Sequence, residues 1–160
     1  SIPLELNLPA ASSLEAVLAQ RLVRLLCKEC KQVDNSPTAR TLKAQLGIPP
    51  ETTIYKSAGC RECRNTGFHG RRAIFEWMDS DNEIRQLVLR NASSDQIRDA
   101  ARRAGMKTLA DDGWRLVRLG VTTVAEVLSV TTAKEVSLAM DQAPEDLDPN
   151  APHSIALKRS

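Results

Sequence analysis

From residue 12 the chain carries Leu14, Val17, Leu18, Leu22, Leu25 and Leu26 at steps that return to one side of a helix, with Arg21 and Arg24 off that stripe. Ser12 or Ser13 supplies an N-cap, so the pattern predicts a first helix ending near Cys27. Residues 28–36 are polar and irregular. A second helix is predicted over 37–46: proline suits its first turn, Gly47 suits its stop, and Pro49 and Pro50 block continuation. Two short β-prone runs follow, TTIYK at 52–56 and RRAIFEWM at 71–78.

Beyond residue 78 the period is helical to about residue 140. Capping pairs open four segments: Ser80 with Glu83, Ser93 with Gln96, Thr108 with Asp111 and Thr123 with Glu126. Gly105 and Gly120 provide stops. A last helix is expected around 133–140. Residues 1–11 hold two prolines and no period, and read as a disordered linker or tag. Residues 141–160 are acidic and proline-containing, and read as a disordered tail.

Composition changes this picture little. Aromatics are only 3%, so a core must come from Leu, Val, Ile and Ala, which leans helical. A net charge of +2 gives no global pull toward nucleic acid or membrane. No apolar run approaches the roughly 20 residues that cross a bilayer, and residues 1–10 lack the features of a secretory signal. The missing initiator Met suggests a fragment or a processed chain.

The four cysteines carry the chemistry. Cys27 and Cys30 form one Cys-x-x-Cys pair, and Cys60 and Cys63 another, with 29 residues between the pairs. Thiolates suit a tetrahedral zinc ion, and the two-residue spacing lets a tight turn aim both sulfurs at one point. Backbone N–H groups of such a turn can donate to the sulfurs and temper their charge. The expectation is one structural zinc per chain, stapling the first helix to a small sheet. A redox or disulfide pair and an iron–sulfur cluster are the competing readings. Neither pair sits at the strand-to-helix junction of a redox motif, and paired thiols without a disulfide framework suit a cytosolic protein. His69 follows Cys63 by six residues, but four cysteines already complete the shell. His153 falls in the tail.

No catalytic or cofactor-binding residue emerges. The chain has no GxxxxGK[ST] phosphate cradle, no GxGxxG after a strand and no HExxH. The acidic pairs Asp79/Asp81 and Asp111/Asp112 lie at helix starts, where capping and dipole complementation account for them.

Three stretches carry a family resemblance: AQRLVRLLCKEC at 19–30, GCRECRNTGFHGRRAIFE at 59–76 and GMKTLADDGWRLVRLGVTTVAEVL at 105–128. Over about residues 12–132 the chain closely resembles the C-terminal part of the bacterial type II secretion and type IV pilus assembly ATPases, the general secretory pathway E family. The resemblance implies a segment of a hexameric P-loop ATPase that works at the cytoplasmic face of the inner membrane. It implies that Cys27, Cys30, Cys60 and Cys63 are zinc ligands. The family's nucleotide-binding motifs belong upstream, so no catalytic role carries over to a residue present.

The expected fold is α+β, mainly helical, with a tetracysteine zinc element and a short β-hairpin followed by a small helical bundle. Residues 12–78 would hold the end of the motor core and the zinc element, and 79–140 a C-terminal helical domain. The expected function is a non-catalytic structural and docking module, not an enzyme by itself. Its partners would be other domains or subunits of the ATPase hexamer and an inner-membrane platform protein, without nucleic acid or membrane insertion. It would be cytoplasmic and peripheral at the inner membrane. The alternative is a zinc-ribbon-like nucleic-acid or chaperone-type module. Arg61, Arg64, Arg71 and Arg72 around the second cysteine pair motivate it, and scarce aromatic stacking partners weigh against it.

Overall fold

The computed structural model describes residues 13–141; the predicted linker at 1–11 and the tail from 142 lie outside the described residues. The fold is α+β. Its elements run β1 (Ala16–Leu26), β2 (Gln32–Val33), α1 (Pro37–Leu46), β3 (Tyr55–Lys56), β4 (Phe68–Asp79), α2 (Asn82–Leu89), α3 (Ser94–Arg103), α4 (Leu109–Arg118), α5 (Val124–Leu128) and α6 (Ala133–Asp141). Strands β1 and β4 form one antiparallel ribbon, and β2 and β3 form another.

The first predicted helix is a strand. β1 pairs with β4 from Ala16↔Asp79 to Arg24↔Arg71, and after a bulge Leu26 meets Phe68. The helical stripe marked Leu18 and Leu22 as core, yet they are 56% and 53% exposed, while Val23, off that stripe, is fully buried. A strand sends alternate side chains to opposite faces. Val23 of β1 and Ile74 of β4 therefore share the inner face and pack on Leu116 of α4. Leu18, Leu22 and Trp77 fall on the other face and remain exposed. What decides the matter is β4: a long strand needs a partner of like length, and β1 supplies it.

The two edges of this ribbon differ. On β4, the Phe75 N–H donates to the buried Asp112 carboxylate of α4 at 3.0 Å. On β1, even-numbered residues turn their N–H and C=O groups away from β4, because antiparallel pairing alternates. The bond from the Arg24 N–H to Glu126 Oε2 fits that parity. Thr122 Oγ1 donates to the Arg24 carbonyl, and the Leu26 N–H donates to the Val121 carbonyl. Farther along this edge, no described residue meets the outward backbone groups of Leu18 and Leu22, and the Gln20 carbonyl accepts only from the Arg21 guanidinium.

The other elements follow the sequence closely. Ser36 caps α1 by accepting from the Ala39 N–H, Pro37 opens it, and Gly47 closes it in the left-handed region. Ser93 with Gln96 and Thr108 with Asp111 form reciprocal capping boxes. Two of the four expected pairs depart from that pattern. Asp81, not Ser80, caps α2. Thr123 caps α5, but the Glu126 carboxylate turns to Arg24 instead of back to its own cap. TTIYK contributes only Tyr55–Lys56 to a strand, because β2 offers just Gln32 and Val33 as partners.

One apolar cluster joins Ala39, Leu46, Ile48 and Ile54 to Trp114, Val117, Val127 and Val136. The segment between the cysteine pairs thus shares a core with α4, α5 and α6. Among the described residues no helix is long and apolar enough to cross a membrane.

Candidate metal centre

Residues 27–67 form an excursion at the tip of the β1–β4 ribbon. Its neck is closed by the Leu26–Phe68 register and by the Cys27 N–H, which donates to Gly67 C=O at 3.0 Å. Cys27 and Cys30 lie on the outgoing branch, just past β1. Cys60 and Cys63 lie on the returning branch, just ahead of β4. The first pair thus follows a strand instead of the expected helix.

Each pair is shaped by a turn. The Lys31 N–H returns to Cys27 C=O at 3.0 Å, and the Asn65 N–H to Cys60 C=O at 2.8 Å. Arg64 and Asn65 take left-handed backbone to complete the second turn. Gly67 is required where it stands: its φ is +76°, and a Cβ there would lie 2.4 Å from the Ser57 Cβ.

The turns bring four sulfurs to one point. All four lie within 4.8 Å of one another. Cys27 to Cys60 and Cys30 to Cys63 are 3.8 Å apart, and Cys60 to Cys63 is 3.7 Å. Sulfurs held at about 2.3 Å around a tetrahedral zinc stand about 3.8 Å apart, so the cluster has the dimensions of that site. A disulfide needs about 2.05 Å, and all four cysteines are free. The sequence-predicted ligands are therefore brought together, in an arrangement that can hold a metal ion. His69 is exposed on β4 and is not one of the group.

Backbone donors prepare the sulfurs for negative charge. The Gly59 N–H donates to Cys30 Sγ at 3.3 Å, and the Cys60 and Gly67 N–H groups each donate to Cys63 Sγ at 3.2 Å. Burial pushes the Cys63 thiol up, but the Cys60 and Gly67 donors, with the neighbouring thiols of Cys60 and Cys30, outweigh it and hold it at about 6. Charge-assisted N–H···S bonds thus favour the thiolate that a metal needs.

Two cations beside the cluster are already engaged. The Arg24 guanidinium lies 4.1 Å from the Phe68 ring centroid, and Lys31 Nζ lies 4.7 Å from that of Tyr55. Those two rings, which a nucleic-acid reading would use for stacking, are each covered by a cation on one face. Arg61, Arg64, Arg71 and Arg72 are exposed. Of the acidic pairs, Asp81 and Asp111 cap helices as expected. Asp79 instead accepts from Trp77 Nε1, and Asp112 accepts from Phe75 N–H and Arg115. Sequence reasoning missed Lys31, considered Tyr55 only as a stacking ring, and gave Glu126 a local role, because the contacts of all three are long-range.

The model of the family described as Type II/IV secretion system protein matches residues 6–129. The Type IV pilus assembly ATPase PilB of Thermus thermophilus is 42% identical over 76% of this chain and 14% of its own length. The Type II secretion system protein E of Pseudomonas aeruginosa is 42% identical over 76% of this chain and 24% of its own. The Type II secretion system ATPase E of Vibrio cholerae is 33% identical over 76% and 24%. The chain thus spans a quarter or less of the length of these relatives. With its matched segments covering both cysteine pairs, the ribbon and α2 to α5, the chain belongs to the type II/IV secretion system protein family.

Proposed function

We propose that this chain is the metal-stapled, non-catalytic C-terminal module of a secretion or pilus assembly motor ATPase. Cys27, Cys30, Cys60 and Cys63 hold one structural zinc ion. The module docks onto the nucleotide-binding part of the motor and its neighbouring subunits, at the cytoplasmic face of the inner membrane, where an integral platform protein is the further partner. Zinc supplies a fixed tetrahedral junction and no reaction chemistry here.

The observation that carries the docking role is the unfinished ribbon. A two-stranded ribbon is marginal by itself, and here one edge and one face are left over. Leu18 and Leu22 present outward backbone groups and exposed side chains on the same stretch of β1, beside Trp77 of β4. An open edge flanked by apolar side chains takes a further strand. A motor domain contributing that strand completes the sheet and covers the leucines.

Three measurements on the purified chain test this reading: zinc content, ATP hydrolysis, and amide exchange at Leu18, Gln20 and Leu22 with and without the rest of a motor ATPase. The expected result is one zinc per chain, no hydrolysis above a control, and protection of those amides in the complex. Hydrolysis by the chain alone, or a complex that leaves the three amides exchanging freely, overturns it.

A further inference from the structure

The cysteine cluster grips the turn between α4 and α5 from both sides. Leu26 immediately precedes Cys27, and its N–H donates to Val121 C=O at 2.9 Å. Lys31 immediately follows Cys30, and its Nζ donates to Gly120 C=O at 2.7 Å. Tyr55 supplies the third contact. It pairs with Val33 just past Lys31, and its ring lies against the Lys31 ammonium. Gly120 has φ +67°, and a Cβ there would come within 2.7 Å of Tyr55 Cε2, so ring and backbone touch directly.

Carbonyls at the end of a helix are short of donors, and a cation there also meets the negative end of the helix dipole. Gly120 stands just past the Leu119 cap of α4, so Lys31 gives its carbonyl a donor and sets a cation at the negative end of the helix dipole. A lysine is a flexible four-carbon stem with costly rotamer freedom, so it serves only where its root and tip are fixed. The cysteine turn fixes the root, and Tyr55 flanks the tip.

We infer that metal loading locks the α4–α5 junction through Lys31, Tyr55 and Leu26, and that metal loss releases it. The released segment includes Thr122 and Glu126, which seal the Arg24 end of the β1 edge. Metal occupancy thereby sets how much of that edge lies open. Lys31 and Tyr55 act as positioning residues; they do not touch the metal. The inference rests on the metal reading proposed above.

The test is amide exchange over residues 119–128 in the zinc-loaded chain, wild type and Lys31→Met, before and after a strong chelator in reductant. Zinc content is measured on each sample, and α3 serves as the internal reference. Lys31→Met should keep its zinc and exchange about tenfold faster at the junction, the loss expected for one charge-assisted hydrogen bond. Chelation should raise the wild-type junction at least as much, and should add less to the variant, which has already lost the Lys31 contact. Should Lys31→Met lose zinc, Tyr55→Leu, which leaves both cysteine turns intact, carries the same comparison. A zinc-loaded variant that exchanges like wild type at 119–128 overturns the coupling while leaving the metal reading in place. Chelation that loosens only residues 27–67 does the same. A wild-type chain that binds no zinc removes both.

Discussion

Residues 27–67 and residues 82–141 feed the same apolar cluster but hold their shape by different means. The helical region is self-specifying: Ser93 and Thr108 cap their helices in reciprocal boxes, and Leu116, Val117 and Val127 are buried. The cysteine segment has one helix and four strand residues, and its path is otherwise turns. Its apolar anchors, Leu46, Ile48 and Ile54, reach the core only if both branches of the excursion return to one neck. Closing a long loop costs entropy that short strands do not offset. The comparison teaches that closure of the neck is a condition for the shared core on one side of the molecule, and that local signals suffice on the other.

Removing the proposed metal cross-link should have the largest effect. Cys60→Ser, or chelation in reductant, is expected to cost several kcal/mol, since structural zinc sites contribute on the order of 10 kcal/mol to folding in small peptides. Thermal unfolding should show a large fall in Tm, with exchange rising first in residues 27–67. Equal loosening of both regions from the outset would erase the contrast. Next comes Leu116→Ala, which leaves a cavity against Val23 and Ile74 and should cost about 3–4 kcal/mol in denaturant unfolding. Its zinc content should stay at one per chain. Gly120→Ala touches both regions at once: left-handed backbone and the Tyr55 ring oppose the new methyl, for about 2 kcal/mol.

The smallest effect concerns Arg24 and Glu126, which meet at 2.7 Å with the arginine half-exposed. Burial pushes the Glu126 carboxyl up, but hydrogen bonds from the Arg24 side chain and backbone, and its charge, hold it below the ordinary 4.5. Because the folded value is the lower one, the stabilisation is complete above about pH 4.5 and is lost as pH falls through the folded value. Glu126→Gln should cost about 1 kcal/mol near neutrality, after allowing for solvent screening, and wild type and variant should converge in acid. A gap that persists at pH 3 or widens there would assign the contact a purely steric role.

The cysteine cluster was legible because its signal is short-range and chemically narrow: two Cys-x-x-Cys turns admit few other purposes. Helix α1 was legible for a like reason, with Ser36, Pro37 and Gly47 each acting within a turn of its own position. β1 was not legible, because its leucines serve an outer face that a water-exposed strand would fill with polar residues. Their steps of three and four imitated a helix, while Val23, the one fully buried residue of the strand, sat off the apparent stripe. Glu126 shows a second limit. Its position satisfies a capping box, yet its carboxylate is better used by a guanidinium that lies a hundred residues away in sequence and that local pattern cannot see.

The buried Asp112 carboxylate at the middle of β4 has a consequence for assembly. A ribbon open on both sides can be stacked without end, each copy templating the next. Here an incoming strand on the β4 side would have to expel an acid already engaged by Phe75 and Arg115, so the strand addition proposed above is expected on the β1 side. A one-sided ribbon finishes a sheet and cannot propagate one.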